Sequence, residues 1–202
     1  MAVTFERTEF TGRMTPFWRE PKVLPGGFNL AQTFPVGSFI ARGAFVEVDF
    51  DSMSANIVKI AKVVSGGTTA APRIEKGGNF VVGDTILVSG TTTNTKTITA
   101  INTDNADYDV LTLNSALTGA TAGAFLTEAV ETTVEETTTY TERVPNMILS
   151  ADRDIQKSQL ATLDVAYEAI VLADVIASFP SGWLLNGGPC LKTNPNIIFI
   201  KQ

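Results

Sequence analysis

The side chains best suited to chemistry in this chain are carboxylates grouped in two places. The first group is a set of aspartates and asparagines, at Asn102, Asp104, Asn105, Asp107 and Asp109. Hard cations such as calcium prefer several oxygen ligands at this density. The spacing differs from that of an EF-hand, and the loop lacks the glycine that such a loop needs. Because Asp and Asn are also typical of hairpin turns, we interpret this group as a turn and not as a metal site.

The second group consists of glutamates, at Glu128, Glu131, Glu135 and Glu136. Paired carboxylates hydrolyse glycosidic bonds when a cleft holds them at a set separation. The sequence gives no sign of such a cleft, so we interpret these glutamates as a solvated strand face. Lys59, Lys62 and Lys76 lie in strand or loop contexts, and we expect all three to be solvated as well.

The chain has no histidine and a single cysteine, Cys190. Without histidine, the Ser-His-Asp and Cys-His forms of nucleophilic catalysis and most zinc sites are excluded. Cys190 cannot form an internal disulfide, which fits synthesis in a reducing cytoplasm. The glycine pairs lack the spacing and the following helix of a phosphate-binding loop. We therefore expect no catalytic role, no bound metal and no cofactor.

The charge balance also limits the class of partner. The chain carries 15 basic and 21 acidic side chains, for a net charge of −6. It contains no basic run or arginine stripe, so we expect no nucleic-acid groove and no contact with an anionic membrane. No segment approaches the roughly 20 apolar residues of a membrane helix, and the first residues are too polar for a signal peptide.

The pattern of apolar and turn-forming residues predicts a mainly β protein with few short helical turns. Threonine is over-represented between residues 85 and 141, and its branched Cβ favours strands over helices. In residues 44–50 the alternation places Val46, Val48 and Phe50 on one face of a strand and Glu47 and Asp49 on the other. The succession of short strands and turns in residues 36–130 is typical of a small antiparallel β-barrel or sandwich module.

We predict three segments along the chain: an extended Phe/Pro-rich N-terminal arm at 1–35, a β module at 36–130, and a Thr-rich strand followed by a C-terminal β region at 131–202. Residues 131–142 are β-prone but polar, so we expect an exposed edge or a strand paired with another chain. Residues 160–171 alternate as a strand, although they also fit a helix. We expect a short helical turn at 179–185 and a terminal strand at 196–201.

The N-terminal arm carries six aromatic residues that follow neither a strand nor a helix period. They are Phe5, Phe10, Phe17, Trp18, Phe28 and Phe34. Aromatic residues in a proline-broken, extended arm cannot form a core of their own, so they must bury against another surface. Either the arm wraps back over its own domain, or it lies along the surface of a partner.

Two parts of the chain, about residues 36–130 and 160–202, contain characteristic turn-and-strand motifs. The motifs are ARGAFVEVDF, NIVKIAKVVSGGTTAAPRIEKGGNFVVGDTI and KTITAINTDNADYDVLTLNSAL in the first part, and ADVIASFPSGWLLNGGPCLKTNPNIIFIKQ in the second. They resemble the head-fibre and capsid accessory (decoration) proteins of tailed phages of gut Bacteroidales, including crAss-like phages. The arm at 1–35 and the Thr-rich residues 131–142 lie outside this resemblance.

The resemblance implies a structural virion protein without catalytic residues. Such a protein is made in the cytoplasm of the bacterial host and binds the major capsid protein on the outer face of the head. Proteins of this kind are often trimeric, so a homotrimer is a further expectation. The six aromatic residues of the arm then become candidate capsid-binding residues. The alternative is a glycan- or host-surface-binding adhesin domain, in which Tyr167 and Trp183 stack against sugars.

Overall fold

The chain is mainly β, as the sequence predicts. The computed structural model describes residues 14–24, 27–134, 137–156 and 162–201. Strands of the first half are β1 Lys22–Val23, β2 Phe28–Leu30, β3 Phe39–Ile40, β4 Phe45–Asp49, β5 Ser54–Ile57, β6 Ile60–Val64, β7 Arg73–Glu75, β8 Thr85–Val88 and β9 Lys96–Asn102. Strands of the second half are β10 Tyr108–Leu113, β11 Phe125–Val134, β12 Thr137–Glu142, β13 Met147–Leu149, β14 Arg153–Asp154, β15 Thr162–Leu163, β16 Val165–Leu172 and β17 Ile197–Ile200.

Helical structure in these ranges is limited to two short 3-10 helices, Ser181–Trp183 and Leu185–Gly187. The first lies inside the predicted helical turn at 179–185. No helix in the described part of the chain is long and apolar enough to cross a membrane. The strand prediction for residues 160–171 is confirmed by β15 and β16, and that for 196–201 by β17.

The first module comprises β1–β5 and β13–β17, from the two ends of the chain. Its main sheet has the order β1-β16-β13-β4-β5-β2-β15, and β17 pairs with β16. Asp164 alone separates β15 from β16, so these two strands form one nearly continuous stretch. This stretch pairs with β13 through β16 and with β2 through β15, so the series of strand pairings closes on itself. The β2–β5 and β16–β17 pairs are parallel. All strand pairs within residues 36–130 are antiparallel, as the sequence predicts.

The second module comprises β6–β12 and is inserted in the chain between β5 and β13. Its strand order is β12-β11-β6-β7-β10-β9-β8, and β8 also pairs with β11. Six strands therefore form a closed set of antiparallel pairings. Apolar side chains from all six fill its interior, among them Ala61, Ile74, Ile86, Ile98, Leu111 and Leu126.

Strand pairing divides the chain differently from the three predicted segments. The predicted arm supplies β1 and β2 to the first module, and residues 39–57 of the predicted β module belong to the same module. The Thr-rich strand β12 belongs to the second module. Alternation in a sequence identifies a strand and its buried face, but it does not identify the partner strand, and here partners lie more than a hundred residues apart.

The described residues of the predicted arm run antiparallel alongside β16 and β15. Phe17 forms a bridge with Val171, Lys22 pairs with Glu168, and Phe28 pairs with Leu163. The described part of the arm, residues 14–24 and 27–35, therefore wraps back over its own module, which was one of the two alternatives. Backbone pairing over this length places the aromatic rings of Phe17 and Phe28 against the sheet.

The first module has one apolar cluster inside its closed pairings and another outside them. Val46 and Val48 point to the inner cluster with Phe28 and Phe34, as their alternation predicts. The same prediction is wrong for Phe50, which lies past the end of β4, where the alternation no longer applies, and is 53% exposed. Phe45 points the other way and meets Trp183 edge-on, with ring centroids 5.2 Å apart. The segment that contains the 3-10 helices thus covers the outer face of β4.

Gly43 lies where three segments of the first module meet. Its φ of +86° is in the left-handed region that favours glycine. A Cβ atom at this position would lie 2.8 Å from Ile176 Cγ2 and 2.9 Å from Pro16 Cγ. Glycine therefore allows both the turn before β4 and the close approach of the N-terminal segment.

The Thr-rich residues form a hairpin within the chain. The outer half of β11 pairs with β12, from Ala129 opposite Glu142 to Val134 opposite Thr137. Thr132 and Thr139 are exposed. Among the described residues, β12 has no strand partner on its other edge.

Candidate functional site

The densest group of charged side chains lies where the two modules join. Lys59 precedes β6, Asp84 precedes β8, Glu128 lies on β11 and Arg143 follows β12. We call these four residues and Glu47 of β4 the junction cluster. The closed pairings of the second module bring the first three together, because β6 and β8 both pair with β11.

Lys59 is the centre of the junction cluster. Its Nζ atom lies 2.7 Å from Asp84 Oδ1 and 3.5 Å from Glu128 Oε1. The side chain of Lys59 is 2% exposed, and those of Asp84 and Glu128 are 9% and 15% exposed. An ammonium group at this depth is stabilised only when carboxylates and hydrogen bonds offset the loss of water.

Neighbouring groups fix the two carboxylates. The backbone N–H of Val81 donates to Asp84 Oδ2 over 2.8 Å. Gln32 Nε2 donates to Glu128 Oε2 over 2.8 Å, and Arg143 Nε donates to the same oxygen over 3.1 Å. On the opposite side of Lys59, the ring centroid of Phe34 lies 5.0 Å from Nζ, close enough for a cation–π contact.

The junction cluster also connects the two modules. Gln32 belongs to the first module, and its side-chain amide both donates to Ile57 O and accepts a hydrogen bond from Ile57 N–H. Arg143 also donates to Glu47 on β4 of the first module. Charged and amide groups from both modules thus fix their relative orientation.

The prediction that Lys59 and Glu128 are solvated is wrong. Both side chains are turned into the junction, where each has an oppositely charged partner. The sequence did contain a signal for Lys59. Lys59 has two apolar residues on each side, in the sequence Ile57-Val58-Lys59-Ile60-Ala61, and a lysine flanked in this way has few ways to reach water. Of the other predicted glutamates, Glu131 is exposed, and Glu135 and Glu136 lie outside the described residues.

The aspartate-rich group forms the turn region between β9 and β10. Asn102 Oδ1 accepts the backbone N–H of Asp104, and Asn105 Oδ1 accepts that of Asp107. Asp109 pairs with Lys76. These local hydrogen bonds are those of Asx turns. Among the described residues, no three or more His, Cys, Asp or Glu side chains are grouped so as to hold a metal ion.

The six aromatic residues proposed for capsid binding do not share one environment. Phe17, Phe28 and Phe34 are buried in the first module, so the expectation that they lie along a partner is corrected: their apolar surface is already covered. Trp18 is 56% exposed. Phe5 and Phe10 lie outside the described residues, and their role stays a prediction.

Trp18 stands on the outward face of the pairing with β16. Its backbone N–H donates to Ile170 O over 2.9 Å, which fixes the residue on the sheet. Nearby, Glu168 pairs with Arg19 Nη2 at 3.5 Å and with Lys22 Nζ at 2.7 Å. We call Trp18, Arg19, Lys22 and Glu168 the Trp18 surface.

The residues considered for sugar binding are not arranged as a platform. Trp183 is 3% exposed and packs among Phe45 and Phe179, so neither face of its ring is open to a ligand. Tyr167 is half-buried against the inner cluster of the first module.

An open cleft runs between the modules. One part, of about 370 Å³, is lined by residues of both modules, including Phe39, Arg42 and Lys76. A second part of about 250 Å³ shares Phe39, Gly77 and Asn79 with the first. Lys76, which lines the first part, pairs with Asp109, which lines the second. No protein-family model, curated protein or solved structure matches the chain.

Proposed function

We propose that the chain is a structural virion protein that binds the outer face of a tailed-phage capsid, as a decoration protein or as the base of a head fibre. The observation that carries this proposal is the position of the exposed apolar side chains. Of the nine large ones among the described residues, three lie in the predicted arm, Met14, Trp18 and Val23, and two more, Val36 and Phe39, follow closely after it. The motifs that resemble capsid accessory proteins supply the kind of partner.

Among these exposed apolar residues, Trp18 and its charged neighbours in the Trp18 surface are the best placed to bind a partner. Tryptophan and arginine are the residues that most often dominate the energy of protein interfaces. Arg19 and Lys22 share Glu168 as their partner, and at 64% and 61% exposure each can also face acidic groups of a partner protein beside the indole ring. Backbone pairing with β16 holds the surface in place, which lowers the entropy lost on binding.

The buried aromatic residues have a different role in this proposal. Phe17, Phe28 and Phe34 stabilise the first module, and the module in turn presents Trp18. Weak contacts at each copy are multiplied when many copies, or several linked subunits, meet a repeated lattice. A single exposed tryptophan with charged neighbours can therefore contribute usefully to attachment on a capsid.

Two measurements test the proposal. The first is mass spectrometry of gradient-purified virions from a phage that encodes this chain, where we expect the chain in defined stoichiometry with the major capsid protein. The second is co-sedimentation of the recombinant chain with heads that lack it. Absence of the chain from the virions, or no binding to such heads, contradicts the proposal.

A matched pair of variants tests the Trp18 surface itself. We expect Trp18→Ala to weaken head binding at least about tenfold, since losing a central interface tryptophan costs on the order of 2 kcal/mol. Val82→Ala is the control, because Val82 is also exposed but lies on the second module. Equal binding by the two variants would exclude Trp18 as a contact.

Self-association as a homotrimer is part of the same proposal. Among the described residues β12 pairs with β11 alone, and an edge strand of this kind can add a strand of another subunit. Light scattering on the purified chain gives its mass in solution directly, and a monomer at the concentrations used for head binding contradicts this part.

A further inference from the structure

Lys59, Asp84 and Glu128 place an amine, a carboxyl group and a second carboxylate together in a buried site. The amine nitrogen of Lys59 is 2.7 Å from one oxygen of Asp84, which puts the carboxyl carbon of Asp84 within reach of the same nitrogen. Groups held in this way react as if at very high concentration, because no encounter has to occur first. From this geometry we propose that Lys59 and Asp84 become joined by an intramolecular isopeptide bond, formed with Glu128 as the proton carrier.

Burial favours the product over the ion pair. Two charged groups with side-chain exposures of 2% and 9% have lost most of their hydration. An amide at the same place is neutral, so its formation removes the cost of keeping both charges out of water. The Phe34 ring and the apolar neighbours of Lys59 in β5 and β6 keep the site dry.

The reaction is a condensation and needs no oxidant or cofactor. The Lys59 ammonium gives one proton to the Asp84 carboxylate across their hydrogen bond, which leaves a neutral amine and a carboxylic acid. The amine then forms the new N–C bond to the carboxyl carbon. Glu128 takes a proton from the nitrogen of this intermediate and delivers it to the departing hydroxyl, which leaves as water when the C–O bond breaks. The product is one amide and one water molecule.

Each neighbouring group has a role in this condensation reaction. The Val81 N–H fixes Asp84 Oδ2, so Oδ1 faces the amine. Gln32 and Arg143 hold the Oε2 atom of Glu128, which leaves Oε1, 3.5 Å from Lys59 Nζ, to exchange protons. Gln32 and Arg143 are thus positioning residues, and Glu128 contacts the reacting nitrogen.

The bond would close a covalent loop from residue 59 to residue 84, which contains β6 and β7. It would fix the start of β6 to the start of β8 where the second module meets the first. This inference does not depend on capsid binding and concerns covalent stabilisation of the fold.

Intact-mass spectrometry of the purified, folded chain gives the first test. We expect the mass to be lower than that of the sequence by one water molecule, and the Lys59→Arg variant to show no such loss. Asp84→Asn gives a second signature, because an amide in place of the acid condenses with release of ammonia and not of water. Glu128→Gln is expected to retain both reacting groups and to stay unlinked or to react far more slowly.

Tryptic mapping of the unmodified chain locates the bond even if a variant fails to fold. We expect no cleavage after Lys59, and one branched product in which peptide 43–62 is attached to peptide 77–96. Separate peptides with cleavage after Lys59, or a lost water that maps to other residues, would overturn the proposal and leave the three groups as a buried ion-pair network.

Discussion

Replacing Phe28 by alanine separates the role of the N-terminal segment in folding from its role in binding. Phe28 is 2% exposed in the inner cluster of the first module, and its ring meets that of Phe50 edge-on at 5.7 Å. A buried phenylalanine covers on the order of 150 Å² of apolar surface, worth nearly 4 kcal/mol at about 25 cal/mol per Å². We therefore expect Phe28→Ala to lower the free energy of unfolding by about 3–5 kcal/mol.

The chain offers a convenient reporter for this measurement. Its two tryptophans are Trp18 and Trp183, and only the second is buried among aromatic rings. In the Trp18→Ala background, the fluorescence of Trp183 alone follows unfolding of the first module in urea. Trp18→Ala itself is the control, because substitutions at exposed positions usually change stability by within about 0.5 kcal/mol.

The outcome distinguishes an N-terminal arm that is packed into the first module from one that is only loosely attached to it. If the segment is integral to the first module, Phe28→Ala shifts the urea midpoint strongly with little change in the slope m. A decrease below about 1 kcal/mol would refute the packing described above, since a ring leaving the core without cost cannot have been part of it. It would also restore Phe28 as a candidate contact for a partner.

Three further predictions concern a glycine, an exposed carboxylate and a side-chain amide. Gly43→Ala should lower the melting temperature more than Gly37→Ala, because both glycines have positive φ but only Gly43 would bring its Cβ within 3 Å of neighbouring side chains. Hydrogen bonds from the Ser52 hydroxyl and from two backbone N–H groups hold the pKa of Asp49 below its ordinary value, so this carboxylate stabilises the fold above that ordinary value and the contribution is lost as pH falls through the lowered pKa. Ser52→Ala should raise the pKa of Asp49 in an NMR titration, and an unchanged value would contradict this cause. Asn146→Ala should cost about 1–3 kcal/mol in denaturant unfolding, because its amide donates to and accepts from the backbone of β4, and a neutral result would show that water replaces both bonds.

Local features of this fold were accessible from the sequence because they depend on short-range patterns. The alternation of Val46 and Val48 predicts their shared buried face, and the Asp/Asn-rich group predicts the turn between β9 and β10. Each of these features is determined by residues within about ten positions of one another, where periodicity and turn preferences act.

The capsid-binding interpretation of Phe17, Phe28 and Phe34 failed for a physical reason. Phe28 and Phe34 each contribute one ring to a core built from strands far along the chain, so no periodic pattern marks them as buried. Their irregular spacing in a proline-broken segment fits a docking arm as well as a strand that joins a distant sheet. Only the pairing of β2 with β15 and β5 separates the two cases.

The junction cluster shows a second limit of sequence patterns. Charged residues are usually solvated. Among the lysines and glutamates that the structure describes, Lys59 alone is fully buried. Lys59 differs because Asp84, which precedes β8, and Glu128 on β11 both lie against it, and neither is near it in sequence. An isolated lysine within an apolar run is the one local sign of such an arrangement.

The insertion of one module within the other has a consequence for the order in which the chain folds on the ribosome. All strands of the second module lie between residues 60 and 142, so it can complete its pairings as soon as that stretch has been synthesised. The first module must wait for β16, which emerges about a hundred residues after β5. Its early apolar strands therefore spend that interval without their partners, next to a neighbour that is already folded, and this is the period in which nascent chains are most prone to aggregate.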